Sequence, residues 1–104
     1  GSEMCIRDRE DVIGGYVWYE TKSPGLGEEF LRVFYACASE ISRNPLIYPR
    51  VYGEFRRRLL RRFPYAIYFM LKEDQVVVSG LFHCARNPST VKKKLQDREK
   101  PENS

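Results

Sequence analysis

The sequence is poor in the residues that build metal centres and disulfide frameworks. It contains one histidine, His83, and three cysteines, Cys5, Cys37 and Cys84, within 104 residues. The cysteines are odd in number and widely spaced, which excludes a disulfide framework and a Cys-x-x-Cys metal-binding pair. A structural zinc ion would find too few ligands of its usual kind. We therefore predict no metal, no cofactor and a reducing compartment.

Long apolar runs are also absent. No segment approaches the roughly 20 apolar residues of a membrane-spanning helix, and no secretory leader can be recognised. We expect a soluble, cytoplasmic protein with no membrane partner. The 42% of hydrophobic residues suits one domain with a modest core. Gly1-Ser2 matches the remnant of a cleaved expression tag. We place the domain in residues 3 to 91 and a charged, frayed tail in residues 92 to 104.

Positive charge is concentrated in one part of the chain, although the net charge is only +4. Residues 49 to 63 hold six arginines against one acid, a local charge of +5, whereas residues 3 to 20 hold five acids against two arginines. Five of the arginines fall within seven residues: Arg56, Arg57, Arg58, Arg61 and Arg62. Because they accompany a predicted strand, they predict a fixed cationic surface for a polyanionic or acidic partner.

Two helices are predicted from apolar residues that recur at intervals of three and four. The first covers about residues 8 to 20 and the second about residues 28 to 44, where Asn44-Pro45 ends it. The turn-forming residues 23 to 27 separate them, which favours an antiparallel pair. The predicted apolar faces are Val12, Ile13, Tyr16, Val17 and Tyr19 in the first helix, and Phe30, Val33, Phe34, Cys37 and Ile41 in the second. The glycine pair Gly14-Gly15 destabilises the first helix by up to about 2 kcal/mol relative to alanines. Packing must therefore stabilise this helix, or the pair permits close approach of another backbone.

Three extended segments follow, at about residues 54 to 60, 65 to 72 and 75 to 84. Their aromatic and β-branched residues favour strands, and Glu73-Asp74 supplies a hairpin turn. A very short additional strand is available at Met4-Cys5-Ile6. The sequence thus predicts an α+β fold, in which an N-terminal antiparallel helix pair packs on one face of a small antiparallel sheet.

Several short motifs follow one another along residues 11 to 88. They are Trp18-Tyr19-Glu20, Pro24-Gly25-Leu26-Gly27, Arg62-Phe63-Pro64-Tyr65-Ala66-Ile67-Tyr68 and His83-x-x-Arg86-x-Pro88. In this order and spacing they resemble the RelE/ParE superfamily of bacterial toxins. The chain differs from that pattern at both ends. The first family strand is short or missing, and the tryptophan and final arginine of many relatives are absent after Pro88.

The resemblance implies the toxin half of a type II toxin–antitoxin pair, bound and silenced by a cognate antitoxin. RelE-like members cleave mRNA in the ribosomal A site. ParE-like members block DNA gyrase and are often described as plasmid stabilisation proteins. The Pro-Gly-Leu-Gly and Phe-Pro-Tyr pieces are slightly more ParE-like, which favours gyrase inhibition. A ribosome-dependent endoribonuclease and an inactive relative that only binds an antitoxin remain the alternatives, and a homodimer stays open.

For RNA cleavage, guanidinium groups would stabilise the extra negative charge of the attacked phosphate. His83 would move the proton, because histidine is the side chain that titrates near neutral pH. The catalytic candidates are Arg56, Arg62, His83 and Arg86, and the binding candidates are Arg57, Arg58, Arg61 and Tyr52.

Strand alternation assigns these residues to opposite sides of the sheet. It predicts Arg56 and Arg58 on the open side, with Phe55 and Leu59 facing the helices. A structural interpretation competes with the functional one, because a charged strand is most often a solvated face that opposes aggregation. His83 could equally make a structural hydrogen bond.

Overall fold

The computed structural model describes residues 4 to 7 and 9 to 100. Along the chain lie β1 (Met4–Ile6), α1 (Arg9–Lys22), α2 (Leu26–Arg43), a single 3-10 turn (Pro45–Ile47), β2 (Arg50–Tyr52), β3 (Phe55–Leu59), β4 (Tyr65–Lys72), β5 (Gln75–His83) and α3 (Pro88–Arg98). The predicted tag remnant Gly1-Ser2 and the last four residues lie outside the described part. Within it, no helix combines the length and the apolar character that crossing a membrane requires.

The five strands form one mixed sheet in the order β1-β5-β4-β3-β2. β2 to β5 are antiparallel neighbours, whereas β1 runs parallel to β5, with Met4 opposite Val76. The predicted α+β fold, with its helix pair on the sheet and its short first strand, is confirmed. The predicted antiparallel meander is present as β3, β4 and β5, and β1 adds a parallel strand at its edge. A parallel pair needs a long crossover, and here the whole segment from α1 to β4 lies between β1 and β5 in the sequence.

The helix pair packs on the sheet through the face that α2 was predicted to bury. Phe30, Phe34, Cys37 and Ile41 have no exposed surface, and they contact inward residues of β4 and β5. The predicted apolar face of α1 was partly wrong, because Ile13 and Val17 are about half exposed.

Gly15 explains the rotation of α1. This glycine is buried, and a Cβ added to it would lie 2.4 Å from the ring of Phe30. α1 therefore approaches α2 through its glycine, so Val12 and Gly15 face inward and Ile13 turns to solvent.

α3 corrects the prediction of a frayed tail from Lys92 onward. The Asn87 side chain accepts a hydrogen bond from the Ser89 N–H and caps the helix, and Pro88 occupies the first turn, where its missing N–H is harmless. Val91 and Leu95, one turn apart, are buried on the sheet face opposite α1 and α2. Composition suggested disorder here because it does not show that these two residues share one face.

An ion pair extends the sheet where β1 ends. The last backbone bond from this segment to β5 is donated by Arg7 N–H to the Val78 carbonyl. Beyond it, Asp11 of α1 accepts from the Leu81 N–H at 3.0 Å, and Arg98 of α3 donates to the Ser79 carbonyl at 3.1 Å. Asp11 and Arg98 pair at 2.7 Å with side chains only 15% and 21% exposed. Side chains thus satisfy the β5 edge that the short β1 leaves open.

Candidate functional site

The arginines of β3 are divided between the two faces of the sheet. Arg56 and Arg58 lie opposite Phe69 and Ile67 of β4, which belong to the core under α2. Arg57 lies opposite Tyr68, which packs in the cluster under α3. The predicted placement of Arg56 and Arg58 on an open side, away from the helices, was therefore wrong.

Two other residues of β3 account for this error. Phe55 is buried in the cluster under α3, while Leu59 is 57% exposed at the strand end. The sequence prediction had no helix for that face of the sheet, so it assigned Phe55 to the only helices available. Because Phe55 is buried in a second core under α3, Arg56 and Arg58 lie on the opposite side of the sheet, which faces α2.

Glu40 of α2 holds two of the arginines. It accepts from Arg58 at 3.0 Å and from Arg61 at 2.7 Å. The hydrogen bond from Arg61, partly opposed by burial and helped by the charges of neighbouring arginines, lowers the pKa of the Glu40 carboxyl. The Arg58 side chain is 12% exposed, and its Nη1 has no hydrogen-bond partner among the described residues. The guanidinium also lies 5.9 Å from the Tyr48 ring. These contacts make Arg58 part of the α2–sheet packing.

Arg56 and Arg62 hold local structure in a similar way. Arg56 donates to the carbonyl of Tyr48 at 2.6 Å and thereby fixes the segment before β2. Arg62 has a positive φ of 67° in the turn after β3 and pairs with Glu29 of α2 at 2.5 Å. Both guanidinium groups are occupied by carbonyl or carboxylate oxygens of the chain itself.

His83 and Arg86 lie together beside α1. They line a cleft of about 250 Å³ whose other walls are Glu10, Asp11, Gly14, Gly15, Tyr65, Leu81 and Phe82. The Ala85 N–H donates to His83 Nδ1 at 3.0 Å, so the neutral ring carries its proton on Nε2. The imidazole meets the Tyr65 ring edge-on at 5.1 Å. Burial, opposed by the nearby Arg86 charge, raises the pKa of the Tyr65 hydroxyl. Nδ1 is thus used within the chain, and the Nε2–H of the neutral ring is the group left to donate a hydrogen bond to a partner.

Tyr52 and Arg57 lie on the α3 side of the sheet. The Tyr52 ring stacks on Tyr68 with centroids 6.1 Å apart and planes 16° apart. Burial raises the pKa of the Tyr68 hydroxyl, although its hydrogen bond with Arg57 acts in the opposite direction. This side of the sheet thus presents one partly exposed aromatic ring, that of Tyr52, beside one arginine, whereas Tyr68 is buried.

The predicted site residues are consequently spread over three places. They are the α2 side of β3 and its following turn for Arg56, Arg58, Arg61 and Arg62; the α3 side for Arg57 and Tyr52; and the α1 cleft for His83 and Arg86. Within the described ranges, no three histidine, cysteine or acidic side chains are grouped so as to hold a metal ion.

Sequence reasoning missed the acids that neutralise the arginines. Glu29 and Glu40 lie on the same side of α2, eleven residues apart, and each pairs with an arginine of the segment after β3. Their helical spacing was a usable signal. Asp11 had no comparable signal, because its partners Leu81 and Arg98 are distant in sequence.

Comparison with known proteins gives a structural likeness. The chain matches no protein-family model and no curated protein. It is similar to a solved chain described as the chromosomal ParDE TA system from P. aeruginosa, with a TM-score of 0.71 and 12% sequence identity. The match covers 79% of this chain and 95% of that chain. At this identity the likeness concerns the fold alone. The protein therefore has a ParE-like fold, that of the solved chain.

Proposed function

We propose that the protein is the toxin component of a type II toxin–antitoxin pair and that it arrests growth in the cytoplasm by binding DNA gyrase. The fold likeness to a chain of a ParDE system supports a toxin–antitoxin role. The sequence motifs around Pro24-Gly25-Leu26-Gly27 and Phe63-Pro64-Tyr65 support the ParE-like branch. A cognate antitoxin would bind the free protein.

The catalytic candidates lie in different parts of the structure, and this separation supports a mechanism without catalysis. Cleavage by a 2′-hydroxyl needs a proton acceptor and phosphate-binding groups within hydrogen-bond reach of one phosphate. Arg56 is bound to a carbonyl, Arg62 to Glu29, and His83 lies in the α1 cleft with Nδ1 already accepting a bond. Inhibition by binding makes no such demand on geometry.

Arg57 and Arg86 are the arginines we assign to partner binding. Arg57 interacts with the Tyr68 hydroxyl, and the Arg86 guanidinium lies 5.5 Å from the Phe82 ring. Contacts with aromatic side chains do not neutralise the positive charge of these two arginines, and among the described residues neither forms an ion pair, whereas Arg61 and Arg62 pair with glutamates. An acidic surface of a partner is the complement of such groups.

One observation favours the RNase alternative. The partly exposed Tyr52 ring, which stacks on the buried Tyr68 beside Arg57, is the kind of ring on which an unpaired base stacks while an arginine contacts the phosphate. A ribosome-dependent endoribonuclease would use this α3 side of the sheet for mRNA, with the proton transfer left to groups of the ribosome or the substrate.

The test is induction of the chain in bacteria without an antitoxin. We expect growth arrest with a DNA damage response, while incorporation of labelled amino acids continues during the first minutes. Purified protein should inhibit supercoiling by gyrase. Arg57→Ala and Arg86→Ala should weaken both effects. Arg50→Ala is the matched control, because this exposed arginine forms one ion pair among the described residues, with Glu54 of the β2–β3 turn.

Two results would contradict this function. A prompt fall in protein synthesis, lost in Arg57→Ala, would support mRNA cleavage instead. Unaffected growth with a folded, soluble protein would support a relative that only binds an antitoxin.

A further inference from the structure

α3 carries three consecutive lysines, Lys92, Lys93 and Lys94, and all three are exposed. None of them forms an ion pair or a side-chain hydrogen bond with the residues that the structure describes. The formal net charge of the whole chain is +4, and without these lysines it would be only +1. Most of the excess positive charge of the protein is therefore concentrated on one short helix.

The acidic side chains near α3 do not neutralise these lysines. Asp97 pairs with Lys100 at 3.2 Å. Glu99 pairs with Lys72 at 2.8 Å and with Arg7 at 3.2 Å. Because both acids are already engaged, an anionic partner would meet an uncompensated positive charge on α3.

Helix stability does not account for the lysines either. They lie outside the last turn of α3, where cations interact favourably with the helix dipole. Four residues after Lys92 lies Gln96, which is uncharged. Four residues after Lys94 lies Arg98, another cation. Neither lysine thus has the acidic neighbour that would stabilise a helix at that spacing.

The directions of the lysines indicate the shape of the partner. Val91 and Leu95 are buried against the sheet. Successive residues of an α-helix point about 100° apart, so Lys93 points away from the sheet while Lys92 and Lys94 project to the two sides of the helix. A flat acidic surface would lie against Lys93, whereas a groove with two charged walls reaches all three side chains.

We propose that α3 binds in the major groove of duplex DNA, with Lys92 and Lys94 on the phosphates of its two walls. The major groove of B-DNA is about 12 Å wide and admits an α-helix, whose diameter with side chains is about 10–12 Å. The major groove of A-form RNA is too narrow and deep for such contacts. Contacts with phosphates carry no sequence information, so we expect binding to duplexes of any sequence. This inference does not depend on the proposed function.

The test is fluorescence anisotropy of the full chain with a labelled DNA duplex of about 20 base pairs, between about 50 and 200 mM salt. We expect a Kd in the micromolar range at the lowest salt, and weaker binding as salt is added. Replacing the three lysines together by glutamine should weaken binding at least about tenfold and reduce the slope of log K against log salt by about 3. Glutamine and lysine have similar helix propensities, so an unchanged melting temperature confirms that α3 still folds.

A charge-matched control replaces three exposed cations outside α3 by glutamine, namely Lys22, Arg32 and Arg50. Each of them already contacts another side chain of the protein. This variant has the same net charge as the α3 variant, but its salt slope should equal that of the parent. The comparison separates a site on α3 from a general effect of positive charge.

Single substitutions test the groove. Lys92→Gln and Lys94→Gln should each reduce the salt slope by about one, because each lysine contacts a different wall. An effect of only one of them, equal losses in the α3 variant and its charge-matched control, or no DNA binding by the parent at the lowest salt would overturn the proposal. Equal binding of an RNA duplex of the same sequence, or equal competition by polyglutamate, would also overturn it and would show a general attraction to polyanions.

Discussion

Removal of the Asp11 carboxylate should open the β5 edge and loosen α3 in one step. Asp11 accepts from the Leu81 N–H and pairs with Arg98, which also holds the Ser79 carbonyl. Breaking a buried ion pair costs about 3–5 kcal/mol, and an unsatisfied buried N–H costs about 1–3 kcal/mol. Side-chain exposures of 15% and 21% allow water to recover part of this loss. We therefore expect Asp11→Ala to lower the free energy of unfolding by about 2–4 kcal/mol.

Urea unfolding followed by far-ultraviolet circular dichroism measures this change. For a domain of this length, the loss corresponds to a melting temperature lower by about 10–25 °C. Asp11→Asn keeps an oxygen for the Leu81 N–H but removes the charge, so about half the loss should remain. Amide exchange separates the two contributions, because the Leu81 N–H should exchange faster in Asp11→Ala than in Asp11→Asn.

The matched control is Asp97→Ala. Asp97 pairs with Lys100 at 3.2 Å on the surface, with side chains 50% and 65% exposed, and such pairs contribute about 0–1 kcal/mol. A loss in Asp11→Ala no larger than in Asp97→Ala would refute the role of the Asp11–Arg98 pair. A double-mutant cycle with Arg98→Ala should give a coupling above about 1 kcal/mol.

Three further perturbations test the packing and the pH dependence. Gly14→Ala should raise the free energy of unfolding by about 0.5–1 kcal/mol, whereas Gly15→Ala should lower it by about 1–3 kcal/mol because its Cβ would meet Phe30. Urea midpoints of dilute samples measure both changes. Two changes of the same sign would contradict the packing of α1 described above. Leu95→Ala should lower it by about 2–4 kcal/mol because Leu95 is fully buried, and an unchanged midpoint would mean that α3 does not contribute to the core. Burial raises the pKa of Glu99, but its hydrogen bonds with cationic neighbours outweigh this and lower it overall. Glu99 therefore contributes stability above its pKa in the unfolded chain, and this contribution is lost as the pH falls through the lower pKa of the folded chain. Glu99→Gln should be less stable than the parent at pH 7, and the difference between their urea midpoints should shrink on acidification.

Elements whose signal lies within about a dozen neighbouring residues were predictable. The period of Phe30, Phe34, Cys37 and Ile41 identified α2 and its buried face. The hairpin at Glu73-Asp74 was predictable because two consecutive acidic residues interrupt the apolar runs of β4 and β5, and both adopt positive φ in the structure. α3 was missed because only Val91 and Leu95 mark its buried face, within a stretch dominated by lysines. β2 was missed because Arg50–Tyr52 is too short to show alternation.

The candidate site was less predictable than the fold. The roles assigned to the arginines and to His83 remain predictions, but their surroundings are now defined. Strand alternation correctly separated Arg56 and Arg58 from Arg57, although it could not tell which side faced α2. The acids that neutralise Arg61 and Arg62 come from α2, more than twenty residues away in sequence.

By itself, the sequence determined where most helices and strands form and where positive charge collects, because hydrophobic period, turn chemistry and charge runs act between near neighbours. Only the tertiary structure decided which arginines stay available. That outcome depends on packing between distant elements: Gly15 on Phe30 orients α1, α3 makes the second core for Phe55, and Glu40 compensates Arg58 and Arg61. The same packing turns Ile13, Val17 and Trp18 outward, since the helix buries its glycine side rather than its most apolar one.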